Sequence, residues 1–575
     1  MVSYSLNSSI ALFGLFCTFV LLVFIDNEFG HDIKATSDPA RQDSLLKRNT
    51  NQDGSPQSSC PGYTDYAKVK HEPVSSGPYK YPYQRPSDSC RTFKSPAVET
   101  VIGAFKERLR DDDLARLFEN TFPNTLDTTI RWHTKESKAG GPRSFIVTGD
   151  INAEWIRDSR YQLYNYQKLA PYDEDLKTLI LGAINQHVDY VTAFPYCNAF
   201  QPPEEAGTTP GSNDQEVSIT PNVDFKKVWE CKYEIDTLAS FLGMASDYYE
   251  NTQDLRFAND AWIKAAKVVL QTFKDQQHGS MSSNGSTEAP KYLFKSLSWT
   301  STGTQALNGN GNPVSSDTGL IRSAFRPSDD TTTYQLFIPG NAQAVVEMKR
   351  VSQWLGKVHE EDLAREFKEL ASQVEDAIWK HGTFEHPQFG KVFAYEVDGY
   401  GGRNIMDDAN VPSLLALPDI GFVDVKDETY QRTRKMVWSR QGNPYFIAGK
   451  YFTGIGSPHI DLEHPWPLSQ IVRLRTSDND DEIKEALRAL MDSTNGLGLM
   501  HESISANEQN DDSYTRPWFA WVNTEFSRAL IDLAGRKPQL IFRDGYGYIF
   551  FNPIVKEHII EPAPKPVEDD RQKKN

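Results

Sequence analysis

Between Thr148 and Tyr166 the chain reads T-G-D-I-N-A-E-W-I-R-D-S-R-Y-Q-L-Y-N-Y. Carboxylates (Asp150, Glu154, Asp158), guanidinium groups (Arg157, Arg160) and rings (Trp155, Tyr161, Tyr164, Tyr166) crowd together there. A sugar site requires that mixture, because a hexose offers C–H faces to rings and hydroxyls to bidentate hydrogen bonds. Gly149-Asp150 and Asn152 are turn chemistry, and Asp158 or Ser159 is placed to cap a helix burying Leu163, Tyr166 and Leu169. Asp158 would then stand at the helix mouth beside Arg157. A single Arg-Asp pair of this kind is ordinarily a surface ion pair. Recurrence raises it above that.

Five more loops of similar composition follow. They are W-E-C-K-Y-E-I-D (Trp229–Asp236), F-R-P-S-D-D (Phe325–Asp330), M-D-D-A-N-V-P-S (Met406–Ser413), G-I-G-S-P-H (Gly454–His459) with Trp466, and H-E-S (His501–Ser503) with T-R-P-W-F-A-W (Thr515–Trp521). Most lead into a run of helical periodicity. Leu176, Leu179, Ile180, Ala183, Ile184, His187, Val188 and Val191 recur at three and four, as do Leu238, Phe241, Leu242 and Ala245. The same pattern marks Asp260–Phe273, Val345–Leu355, Leu363–His381 (stopped by Gly382), Asp481–Met491 and Phe519–Leu533 (stopped by Gly535). Strand-like pieces at Ser144–Val147, Lys391–Tyr395 and Tyr548–Phe551 are short, which predicts hairpins on loops rather than a sheet core. The absence of βαβ alternation and of G-x-G-x-x-G argues against a nucleotide fold. Six stations, each followed by about a helical hairpin, predict an all-α toroid of six inner and six outer helices, with the loops on one face.

The chain has 575 residues and a net charge of -17, and no basic block precedes the last few residues. That balance argues against nucleic acid or anionic lipid as partner and fits a neutral glycan. Ile10–Ile25 is an uncharged apolar run with no Lys or Arg before it, no small-x-small cleavage site before Asp26, and acidic residues after it. The expected order is a short cytoplasmic tail (1–8), a transmembrane signal anchor (9–25), a stem (26–87), the helical domain (88–562) and a disordered tail (563–575). This describes a single-pass type II membrane protein of the secretory pathway with its bulk in the lumen; a cleaved signal peptide, and secretion, is the alternative. Cys60, Cys90, Cys197 and Cys231 are left for the lumen; four cysteines allow three pairings, and pairing of nearest neighbours is the expectation. Asn284-Gly285-Ser286 is a glycosylation sequon. Neither C-x-x-C nor a His cluster with zinc spacing occurs, so no metal and no cofactor is expected.

In this order, G-D-I-N-A-E-W-I-R-D-S, W-E-C-K-Y-E-I-D-T-L, F-R-P-S-D-D, M-D-D-A-N-V-P-S-L-L, G-I-G-S-P-H, M-H-E-S and T-R-P-W-F-A-W-V-N resemble glycoside hydrolase family 125 over roughly Thr148 to Phe526. The family comprises exo-acting, inverting α-1,6-mannosidases with an (α/α)6 barrel. The anchored arrangement looks like its fungal branch, since the bacterial members lack the membrane run and stem. The resemblance implies an α-mannoside glycan or mannoprotein as substrate, Asp236 as general acid and Glu502 as general base. Inversion needs one carboxylic acid to protonate the leaving oxygen and one carboxylate to activate water on the opposite face, roughly 6.5–9.5 Å away. Two distant loops can hold that gap; i,i+4 neighbours on one helix cannot.

Asp236 poses a difficulty. At a helix N-terminus the macrodipole favours its ionised form, yet an acid must start protonated, so burial or nearby carboxylates have to offset the dipole. Glu234 is expected to be an ion-pair partner, facing away as an i−2 neighbour. For substrate binding the expected residues are Trp155, Arg157, Asp158, Arg326, Asp329, Asp408, His459 and His501. Arg157 with Asp158, and Arg326 with Asp329, are the expected pairs gripping the terminal mannose. Trp466 and Trp518 could stack on sugar or pack, and Trp521 is expected to pack. Two rivals stand beside this reading: another (α/α)6 carbohydrate-active enzyme such as a glucoamylase-like hydrolase, and a non-catalytic glycan-binding protein. A binding module has no need of two opposed carboxylates, which disfavours the second.

Overall fold

Each motif loop but one hands the chain to a helix buried on nearly every side. The computed structural model describes residues 60–547, apart from 214, 283 and 297–304. Its longer helices are α1 (Pro96–Arg108), α2 (Asp112–Thr121), α3 (Ile156–Gln167), α4 (Glu174–Ala193), α5 (Ile235–Thr252), α6 (Asp260–Asp275), α7 (Ile338–Leu355), α8 (Glu361–His381), α9 (Glu428–Val437), α10 (Pro467–Arg475), α11 (Asp480–Asp492) and α12 (Ala520–Arg536). In α3, α5 and α10 almost every residue is buried, and α7 and α12 are buried over most of their length. A helix apolar or paired all round belongs inside a protein, whereas the remaining helices carry an apolar stripe and an exposed charged face. α12 packs on α3, α3 on α5 and α5 on α7, while α10 packs on α12; α8 lies along α7 and α11 along α10.

Capping distinguishes the two groups except at α8, which starts at Glu360 without a side-chain cap. Ser95, Asp111, Asp173, Asn259, Asp427 and Asn479 cap α1, α2, α4, α6, α9 and α11 by accepting from first-turn N–H groups. The buried helices α3, α5, α7, α10 and α12 start instead at Trp155, Glu234, Phe337, Trp466 and Phe519, none of which makes a side-chain cap. Asp158 and Ser159, expected as caps, lie inside the first turn of α3; the chain is already helical at Ile156, which follows directly from a short strand.

Charged bonds tie the buried helices together. Arg160 on α3 reaches Asp247 on α5 at 2.9 Å and Glu347 on α7 at 2.7 Å, and Arg350 returns from α7 to Asp247 at 2.7 Å. Gly243 on α5 makes room: a Cβ there would stand 2.2 Å from the Arg160 guanidinium carbon. The fourth station is the exception, since beyond Met406–Ser413 the chain runs through turns and not a regular helix. Pro412 and Pro418 remove donors there, and Gly421 takes φ +85°. Asp407 pins the segment by accepting from Leu414 N and Leu415 N at 2.8 and 2.9 Å, and Arg475 and Arg528 hold it through Asp419.

Strands occur only as small sheets of two or three among the described residues. Two sheets place the site. In the first, β1 (Glu154–Trp155), β2 (Ala199–Phe200) and β3 (Val228–Glu230) pair antiparallel in the order β1-β2-β3, with Trp155 opposite Ala199 and Ala199 opposite Glu230. In the second, β4 (Leu336–Phe337) pairs with β5 (Glu396–Val397), which pairs with β6 (Arg403–Asn404). β1 runs straight into α3 and β4 straight into α7.

Several boundaries differ from expectation. The stem assigned to 26–87 is too long, because residues from Cys60 onward pack on the helical body. Gln84 N donates to Asn120, Arg85 pairs with Asp127 at 2.7 Å, and Tyr81 is buried with its hydroxyl on Met491 O. Few apolar residues mark this stretch; polar bonds and the Cys60–Cys90 disulfide hold it instead. The second disulfide is Cys197–Cys231, so both nearest-neighbour pairs form. α12 continues through Gly535 and stops at Arg536, where Pro538 forces the preceding residue out of the helical region. Asn284 is exposed. The apolar run Ile10–Ile25, the strand expected at Tyr548–Phe551 and the tail at 563–575 lie outside the described residues. Among the described residues, no helix is long and apolar enough to cross a membrane.

Candidate active site

The first sheet is what brings three remote segments to one place. The Cys197–Cys231 disulfide staples β2 to the loop after β3, so Asn198 sits against Glu230, Lys232 and Glu234. β1 pairs with the same strand and aims α3 at that point, carrying Arg157. Arg157 is buried, and its Nη1 donates to Glu234 at 2.6 Å and to Asp236 at 3.1 Å, while Nη2 stands 3.3 Å from Asp158. Glu234 therefore is the expected ion-pair partner, but it faces the same guanidinium as Asp236 and not away from it. Glu234 is the N-cap residue of α5 and Asp236 lies in its first turn.

Burial works against the ionised form of Asp236. Loss of water pushes its carboxyl above the ordinary range, although Arg157 pulls it down, with Asp329 adding to the rise. That resolves the conflict with the helix dipole. Glu234 is likewise pushed well up by burial and by Asp329 and Asp236, against Arg157. Asp329 goes the opposite way: burial would raise it, but Lys232, a hydrogen bond with Glu234 and Arg157 hold it well below the usual range. Two carboxyls in contact cannot both ionise cheaply, and of this pair Glu234 is the one raised and Asp329 the one lowered. The Asn198 amide lies over this cluster, donating to Glu230 at 2.8 Å, Glu234 at 3.1 Å and Asp329 at 3.0 Å. Asp329 itself adopts φ +65°, a conformation that Asp tolerates better than most residues.

Glu502 sits in a different setting, on the loop before α12. Its carboxylate accepts from Thr515 Oγ1 at 3.0 Å and lies 3.5 Å from Arg516 Nη1. Arg516 also donates to Asp150 at 2.6 and 2.8 Å, joining the last motif loop to the first. The two backbones touch at this seam: Gly149, at φ +145°, would drive a Cβ to 2.1 Å from Trp518 O. Asp158 lies in the fields of both clusters. Burial raises it to about 6 against the pull of Arg157 and Arg516.

Asp330, Asp408, Ser457 and His459 form a third group. Ser457 Oγ bonds Asp408 at 2.9 Å, and His459 Nδ1 is 3.3 Å from Asp330. Burial would lower His459, but Asp330, Glu502 and Asp329 carry it up to about 9, so it is cationic at neutral pH. Burial raises Asp408. Seven buried polar atoms on these loops, Trp155 Nε1, Arg157 Nε, Asp158 Oδ2, Tyr233 Oη, Asp236 Oδ1, Trp466 Nε1 and Trp521 Nε1, have no hydrogen-bond partner among the described residues, although Asp158 Oδ2 stands 3.3 Å from Arg157 Nη2. Native interiors leave few such atoms.

A family model described as metal-independent alpha-mannosidase (GH125) matches residues 111–531. The chain belongs to glycoside hydrolase family 125. A Schizosaccharomyces pombe member, the meiotically up-regulated gene 157 protein, is 48% identical over 487 residues, covering 84% of this chain and 95% of that one. A family 125 structure from Streptococcus pneumoniae, described as a metal-independent alpha mannosidase in a non-productive substrate complex with alpha-1,6-mannobiose, is 30% identical with a TM-score of 0.69. It is matched over 99% of its own length and 77% of this chain. This family 125 chain is thus a glycoside hydrolase of the α-mannosidase type, with a mostly helical fold like that of its relative.

Three expected site residues are used otherwise. Arg326 does not pair with Asp329; its Nε bonds Glu396 at 2.7 Å, because Glu396 on β5 is buried beside it and also takes Thr333 N and Tyr334 N. His501 is wholly buried, its ring nitrogens near Thr494 O and Arg516 O and its face on Tyr514, contacts that shape the loop. Burial lowers it to about 4. Arg157 is committed to protein carboxyls. Trp518 packs, with Nε1 on Thr128, and Trp521 stacks on Tyr161 as expected. Sequence reasoning missed Asn198, Lys232, Glu396 and Arg516. Lys232 and Arg516 lay inside quoted motifs; Asn198 and Glu396 carried no signal beyond their residue types.

Proposed function

We propose that this family 125 chain is an exo-acting, inverting α-1,6-mannosidase that removes terminal mannose from mannosides and mannoproteins. Asp236 is its general acid and Glu502 its general base. The observation that carries this is the contrast between the two carboxyls. Asp236 is desolvated, raised above its ordinary range and left with a free Oδ1, whereas Glu502 is bonded to Thr515 beside Arg516. Acid and base pairs are built from such unlike environments. Asp236 gives its proton to the glycosidic oxygen as the C–O bond breaks. Glu502 takes a proton from water as that water attacks the anomeric carbon from the opposite face, leaving β-mannose. Asp158, together with Trp155, Asp329, Asp408 and cationic His459, holds the terminal mannose, and Arg157 positions the acid.

The same reading closes the helices into an (α/α)6 ring: α3, α5, α7, α10 and α12 form its inner wall, and the turn segment near Pro412 takes the sixth place. It also makes Ile10–Ile25 a signal anchor that keeps the enzyme in a secretory-pathway membrane, supported by the uncharged run and the acidic residues after it. Retention with membranes through alkaline carbonate extraction tests the anchor. Hydrolysis of a panel of linkage-defined α-mannobiosides tests the specificity. The 1,6-linked compound should be cleaved well above the 1,2-, 1,3- and 1,4-linked ones, and equal cleavage of another linkage would overturn the assignment.

A further inference from the structure

A cavity of about 220 Å³ lies outside the candidate active site, with Gln276, Tyr292, Arg322, Ala324 and Gln335 among its lining. Arg322, also in its lining, is buried. The other buried arginines (Arg85, Arg157, Arg160, Arg326 and Arg473) all bond carboxylates; Arg322 bonds only the neutral Gln335 side chain and Asn310. Its Nη1 bonds nothing among the described residues and is the donor left for the cavity. A buried cation without a counter-charge is costly, and here desolvation lowers Arg322 to about 10. Around the rim stand Asp275, His278, Glu288 and Lys291, with Glu288, His278 and Lys291 exposed. Tyr292, in the same wall, donates to Cys231 O and accepts from Tyr233 N, so the cavity backs onto the loop that carries Asp236.

From this geometry we infer that the cavity is a second ligand site, for a small sugar bearing one oxyanion, a phosphate monoester or a carboxylate. The oxyanion meets Arg322, the buried guanidinium suited to its planar pairs of oxygens. Rim carboxylates Asp275 and Glu288 accept hydroxyls and repel a second negative charge, which confines the anion to Arg322. The volume, several times the ~30 Å³ share of a water in the liquid, leaves room for a sugar-sized body. This inference does not depend on the linkage or mechanism proposed above.

Calorimetric titration of the purified full chain with mannose 6-phosphate, glucuronate and inorganic phosphate, each with mannose saturating the candidate active site, tests it. Binding by the phosphate ester or the uronate is expected, and whichever binds tells which oxyanion the site takes. Arg322→Gln should weaken that binding by about tenfold or more. Ala289→Trp, which blocks the exposed rim and leaves Arg322 in place, should weaken it too, so a folding defect in the first variant does not spare the inference. Inorganic phosphate binding as tightly, no heat from any probe, or undiminished binding in both variants would overturn it.

Discussion

Arg157 Nη1 and Asp236 Oδ2 meet at 3.1 Å, both out of solvent, yet the Asp236 carboxyl stays above its ordinary range. An arginine normally drags a neighbouring carboxylate down. Here its charge is divided among Glu234, Asp158 and Asp236, and burial outweighs the share that Asp236 receives.

Asp158 faces both the Arg157 cluster and Arg516, and its Oδ2 has only the 3.3 Å approach of Arg157 Nη2. Asp158→Asn keeps its shape and removes the charge, so the fold should persist while kcat/KM falls. A lost charge-assisted bond is worth about 1.5–3 kcal/mol, which corresponds to about 10- to 150-fold. Arg157→Gln should instead destabilise the protein by about 3–5 kcal/mol, since it strands buried carboxyls. Kinetics and chemical denaturation of the two variants separate these outcomes; wild-type kinetics in Asp158→Asn would return it to a purely structural role.

Much of this was legible in the sequence because motif loops and helix periodicity are local signals. The loop around Asp236 and the helix after it are written in consecutive residues, as are the caps of the outer helices. What could not be read was which charge meets which. Arg326 stands three residues from Asp329 but bonds Glu396, 70 positions away, because a sheet of short strands brings Glu396 to it. Residues 60–87 looked like a stem because their anchors are polar bonds and a disulfide, which leave no hydrophobic pattern.

The two proposed proton-transfer residues should fail differently. Asp236→Asn should lose roughly 10²–10⁴-fold on mannobiosides but retain more activity on aryl mannosides, whose leaving groups need little protonation. Glu502→Gln should fail on both, because water must attack whatever leaves. In the wild type, the alkaline limb of kcat/KM should fall at a pH above the ordinary carboxylate range, as the raised Asp236 ionises. Parallel losses on both substrates in Asp236→Asn would remove it as the acid.

His459 gives a stability signature with a defined sign. Its folded value of about 9 exceeds the unfolded value of about 6.5. The stabilisation it contributes is therefore complete below about pH 6.5 and lost as pH rises through about 9. The Tm gap between wild type and His459→Gln should be widest at pH 6 and should close by pH 10. A gap that widens with pH would show that the Asp330 pairing is absent.

The central claim is single displacement at an α-mannoside, between Asp236 and Glu502. Proton NMR of the first sugar released from α-1,6-mannobiose, recorded before mutarotation, reads it directly. The account predicts β-mannose first, with the α-anomer appearing later as the sugar equilibrates. If α-mannose appears first, the displacement is double, and a carboxylate nearer the anomeric carbon acts as nucleophile.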